Sequence, residues 1–171
     1  WDLGDIEAPG LPAMWLAPLL QTRKIPHMSD EDMVALLRAN LLDDSAPNPS
    51  IEALLHAYMP HAFVDHTHAT ASLALADQAD MEPVMREIYG DRLAFVPYVM
   101  PGYSLSHACN DALKQSPNVE GLWLAQHGLF TFAETARGSY ELMIEFVTMA
   151  EDYLAAHGAQ VHPPLENDRE A

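Results

Sequence analysis

Apolar residues recur at helical spacing in several stretches of the chain. Met33, Leu36, Leu37 and Leu41 line one face of a helix that opens at Ser29. Asp30, Glu31 and Asp32 follow Ser29 and place acid at the positive end of that helix. A second helix is expected from Pro49, capped by Asn48, with Ile51, Leu54, Leu55 and Tyr58 as its buried face and Pro60 as its stop. Residues 69–79, 81–89 and 104–115 read as further helices, the second ended by Gly90. The clearest helix spans 134–157. It places Leu142, Met143, Phe146, Val147, Ala150 and Leu154 on one side and stops at Gly158. Between the helices lie β-rich runs at 63–68, 93–99 and 121–133, the last broken at His127-Gly128, and a short strand is expected at 13–16. Strands interleaved with helices predict a layered α/β domain. That domain is expected over residues 1–158, with 159–171, including Pro163-Pro164, as a polar tail or linker.

A chain of 171 residues, 49% of them apolar, can bury one substantial core. Eight basic against 25 acidic residues give a formal net charge of −17. Such a surface repels phosphate backbones, so nucleic acid and anionic membranes are poor partners. The longest apolar run, residues 11–20, holds two prolines and is too short to span a bilayer. Cys109 is the single cysteine, so no internal disulfide can form, and a reducing, cytoplasmic compartment is expected. Cys109 itself reads as a core residue.

Four residues carry the candidate chemistry. In Val64-Asp65-His66-Thr67-His68, a strand would point both imidazoles to the same side, as two ligands of one metal require. By itself this pair is equally consistent with metal ligation and with chance spacing. His127 lies between the apolar runs 122–125 and 129–132, where a polar ring needs a partner. That partner is either a metal or a backbone carbonyl. Gly128 allows a sharp turn or a close approach. Three neutral imidazoles leave an open position on zinc, the pattern of catalytic sites. Glu52 falls in the first turn of its helix, one turn before His56; on position alone it is a carboxylate favoured there by the helix dipole. Ser50 is a helix-start residue able to donate to a phosphate.

Together, Pro49-Ser50-Ile51-Glu52, His56, Val64-Asp65-His66-Thr67-His68 and Gln126-His127-Gly128-Leu129 resemble the class II aldolase/adducin family in order and spacing. The resemblance covers most of residues 48–155. Within the family, Trp1-Asp2-Leu3-Gly4-Asp5-Ile6 and residues 139–150 look closest to the aldolase half of bifunctional rhamnulose-1-phosphate aldolase/dehydrogenases. It implies a three-layer α/β/α fold with a central, mostly antiparallel sheet, assembled as a homotetramer. It also implies Zn²⁺, or another divalent metal, on His66, His68 and His127, with Glu52 as acid–base and Ser50 as a phosphate contact. A second serine common in the family is Ile51 here. The family's upstream glycine- and serine-rich phosphate loop would precede Trp1, so a fragment of a longer protein is expected.

The activity implied is retro-aldol cleavage of a ketose 1-phosphate, rhamnulose-1-phosphate-like, to dihydroxyacetone phosphate and an aldehyde. An epimerase or dehydratase on the same scaffold would use the same histidines. An adducin-like interaction domain would lack the metal site, and retention of Glu52 and all three histidines argues against it.

Overall fold

The computed structural model describes residue 7 and residues 10–159. The stretch 1–6 and the tail from 160 onward, with His162, lie outside the described residues. The architecture is mixed α/β, as the interleaved pattern predicts, and it divides into two compact units.

The helical unit comprises Trp1–His61 and Val99–Pro117. It contains α1 (Leu16–Gln21), a 3-10 turn (Thr22–Lys24), α2 (Asp30–Ala39), α3 (Ala53–Tyr58) and α6 (Tyr103–Gln115). Ser29 caps α2 as expected, its side chain accepting from the Asp32 N–H at 3.1 Å. Leu19, Met33, Leu37, Leu54, Tyr58 and Tyr103 form the core of this unit. Instead of a strand at 13–16, only Met14 bridges to Leu41 before α1 begins. The second helix also starts later than its sequence suggests, at Ala53 rather than Pro49. Two side-chain bonds explain the delay. Arg38 donates to the Asn48 side chain, which takes Asn48 from capping duty. Ser50 Oγ accepts from the Glu52 N–H at 3.1 Å, a side-chain turn that competes with helix. Glu52 therefore stands at the N-cap of α3, not in its first turn.

The sheet unit comprises Ala62–Tyr98 and Asn118–Ala171. Its strands are β1 (Phe63–Thr67), β2 (Leu93–Val96), β3 (Gly121–Leu124) and β4 (Gly128–Ala133), in the order β1-β4-β3-β2. The β1–β4 and β3–β4 pairs are antiparallel and β2–β3 is parallel, so the sheet is mostly antiparallel. Its helices are α4 (Thr70–Ala76), α5 (Met81–Tyr89) and α7 (Ala136–Ala156). The run 121–133 gives up residues 125–127 to a turn and α4 stops before the turn at 77–79, while the run 93–99 is strand only to Val96, since Pro97 has no N–H to offer a ladder. Gly90, at φ 59°, ends α5 where the sequence places the stop.

Residues opposite each other in a ladder point to the same face. Leu129 and Trp123 therefore share one face, and with Leu93 they pack on Ala71, Leu75, Met85, Tyr89, Met143, Phe146 and Ala150 of the three helices. Thr131, on the same face, locks α7 to the sheet: its hydroxyl donates to Ser139 O at 3.0 Å, and the Ser139 hydroxyl donates back at 3.3 Å. Phe130, Leu122 and His66 share the opposite face. Among the described residues no helix is long and apolar enough to cross a membrane.

Candidate metal centre

His66 is the fourth residue of β1, opposite Phe130 of β4, and His68 follows one residue beyond the strand end. The period of two keeps both on one side of the strand. His127 arrives from the β3–β4 hairpin, whose tip is pinned three times. The Ala125 N–H donates to Val96 O at 3.0 Å, Gln126 to Ala76 O at 3.1 Å and His127 to Leu124 O at 3.2 Å. Gln126 pays for this tight tip with φ 55°, an unusual value for a residue with a side chain.

The three rings converge. Centroids lie 4.6 Å apart for His66–His68 and 5.1 Å for each ring to His127. One ring nitrogen from each lies within 4.8 Å of the others. The geometry also assigns a tautomer. His66 Nδ1 is 2.9 Å from Leu129 O, and a carbonyl only accepts, so Nδ1 carries the proton. In the neutral ring Nε2 then presents its lone pair, at 2.8 Å from His68 Nε2. This donor set fits a divalent transition metal. Imidazole nitrogen is a common ligand of such metals, and one of the three rings has its second nitrogen held by a carbonyl, the usual support for a metal-ligating histidine. His127 is buried and His68 exposed, so the cluster reaches from the protein interior to solvent.

Gly128 makes room for this arrangement. A Cβ there would meet Thr67 O at 2.5 Å, His68 Cδ2 at 3.1 Å and His66 Cε1 at 3.3 Å. The His66 ring also stacks on Phe130, with centroids 3.9 Å apart and planes 11° from parallel. Sequence reasoning singled out Gly128 only as a point of turn or approach and gave Phe130 no role. The ring stack depends on strand register, which no local pattern displays.

Glu52 and Ser50 belong to the helical unit. Glu52 is half-buried at the start of α3, and Ser50, two residues earlier, is exposed. The Ser50 hydroxyl uses a lone pair to accept from Glu52, which leaves its proton available to a ligand. Cys109 is fully buried; burial, reinforced by the Glu52 carboxylate, pushes its thiol up to about 12. It is a core residue at neutral pH, not a nucleophile. Tyr103 is likewise structural. Its hydroxyl lies 2.7 Å from both Thr22 O and Ile25 O, and burial pushes its pKa up to about 12.

The family model of the Class II Aldolase and Adducin N-terminal domain matches residues 22–154. The chain belongs to this family. The N-terminal class II aldolase domain of a conserved protein from Thermoplasma acidophilum has a TM-score of 0.83 and 32% identity to it. That match covers 90% of this chain and 71% of the other. An aldolase II superfamily protein from Pseudomonas syringae shares the fold, with a TM-score of 0.57 and 18% identity over 74% of this chain and 56% of its own. The "Uncharacterized oxidoreductase YuxG" of Bacillus subtilis (strain 168) is 33% identical over 175 residues, which covers 98% of this chain. This class II aldolase/adducin chain spans 25% of that relative's length.

Proposed function

We propose that this class II aldolase/adducin chain catalyses metal-dependent retro-aldol cleavage of a ketose 1-phosphate, yielding dihydroxyacetone phosphate and an aldehyde. A rhamnulose-1-phosphate-like sugar is the substrate the sequence resemblance favours. The observation that carries the proposal is the convergence of His66, His68 and His127, in a family member, with a tautomer suited to ligation. An adducin-like interaction role would give no reason for three imidazoles to converge.

In this reading the three histidines hold Zn²⁺ or another divalent metal. Bound there, the metal supplies Lewis-acid stabilisation of negative charge on substrate oxygens. Glu52, carried over from the Pro49-Ser50-Ile51-Glu52 pattern, moves the proton at the donor carbon of the phosphate-bearing fragment. A carboxylate is suited to this because it can take a proton and return it to the same atom. Ser50 donates its hydroxyl proton to the substrate phosphate. The sugar phosphate is the small-molecule partner, the working assembly is a homotetramer, and the setting is cytoplasmic.

The test is incubation of zinc-loaded protein with L-rhamnulose 1-phosphate and other ketose 1-phosphates, with products followed by NMR. The expected products are dihydroxyacetone phosphate and an aldehyde. An epimerised or dehydrated sugar phosphate would move the chemistry to another reaction of the scaffold. No turnover of any ketose 1-phosphate by a zinc-loaded protein would overturn the proposal.

A further inference from the structure

The opening of β4 touches two of the clustered rings in different ways within three residues. Gly128 leaves the gap against the edges of His66 and His68. Leu129 offers the carbonyl that holds His66 Nδ1–H. Phe130 provides the flat surface under the His66 ring. A ring on a strand has two torsions to fix, and these contacts address both: the stack limits its tilt and the carbonyl limits its rotation. Gly128 sits at φ 149°, a backbone conformation that residues with a Cβ rarely adopt, so the gap and the chain path require the same residue.

We propose that Gly128 and Phe130 are positioning residues, which set the spacing of the His66 and His68 rings for metal binding. This rests on the metal reading above. Neither residue offers a ligand atom; both act through the rings. Adding a methyl at 128 pushes the Thr67 carbonyl and the two ring edges outward, which changes where the ring nitrogens point. Removing the Phe130 ring frees His66 to tilt.

The experiment is zinc titration of the metal-free protein against a chromophoric chelator, with affinities referred to the folded fraction at the same temperature. Three variants are compared with wild type. Gly128→Ala adds the methyl. Phe130→Leu removes the stack and keeps an apolar side chain, and it carries the test if the first variant does not fold. Gly90→Ala is the control: φ there is 59° and nothing lies within 4 Å of the added Cβ, so it reports positive-φ strain alone. Zinc affinity is expected to fall about 10–100-fold in Gly128→Ala and Phe130→Leu, the usual scale for loss of support behind a ligand. In Gly90→Ala it should stay within about twofold of wild type while stability falls. Wild-type affinity in folded Gly128→Ala and Phe130→Leu would overturn the positioning role and leave the metal site standing. Wild-type protein that binds no divalent metal would instead overturn the metal reading itself, and this inference with it.

Discussion

Two histidine environments in this protein differ in kind. In the sheet unit, His66, His68 and His127 turn their nitrogens toward one another. In the helical unit, His107 of α6 lies against Tyr58, with centroids 5.6 Å apart, and against Tyr103, at 4.7 Å. Its buried Nε2 has no hydrogen-bond partner among the described residues. The first setting gathers lone pairs at one point and so invites a cation. The second surrounds a ring with aromatic carbon and favours its neutral form: burial lowers the His107 pKa, helped by the Lys114 charge and opposed by the Asp111 carboxylate. Burial alone therefore says little about whether a histidine is chemical or structural. The direction of its nitrogens decides.

The largest expected effect separates the two settings outright. His66→Ala, His68→Ala or His127→Ala should abolish stoichiometric zinc, measured by atomic emission after dialysis. His107→Phe should keep it. Equal zinc loss in His107→Phe would erase the distinction drawn between the two environments.

Glu52→Gln sharpens the comparison, because it leaves the three imidazoles in place. Zinc should be retained. Uptake of deuterium from heavy water into dihydroxyacetone phosphate should fall about 10²–10⁴-fold, since an amide cannot carry a proton back and forth. Wild-type exchange in this variant would remove Glu52 from the mechanism.

The smallest effect concerns His107 and pH. With its folded-state pKa below the ordinary 6.5, the unfolded chain binds a proton that the native state does not. Stability from this group is present above pH 6.5 and is lost as pH falls through the lowered native value. His107→Phe removes that dependence. Relative to wild type, its melting temperature should therefore improve between pH 7.5 and pH 5.5. A constant difference across that range would show that His107 titrates alike in both states.

Much of the fold was legible because it follows from local chemistry. The cap at Ser29, the stop at Gly90 and the long helix ending before Gly158 depend on residues within one or two turns. The start of α3 was misread for the opposite reason. Asn48 has the right chemistry for a cap, but Arg38, ten residues earlier, occupies its side chain.

The candidate site divides in the same way. The His-x-His spacing and the break at His127-Gly128 are visible in the chain, and with the Pro49-Ser50-Ile51-Glu52 stretch they determined the family resemblance and the ligand candidates. That the three rings converge was decided by the antiparallel register, which puts His66 opposite Phe130 and brings the β3–β4 hairpin tip beside β1. The proton on His66 Nδ1 was decided by a carbonyl 63 positions away in sequence. A one-dimensional pattern records which side chains can bind or donate. The distances among them come from strand pairing and from hairpin bonds between residues far apart in the chain, and these exist only once the sheet has formed.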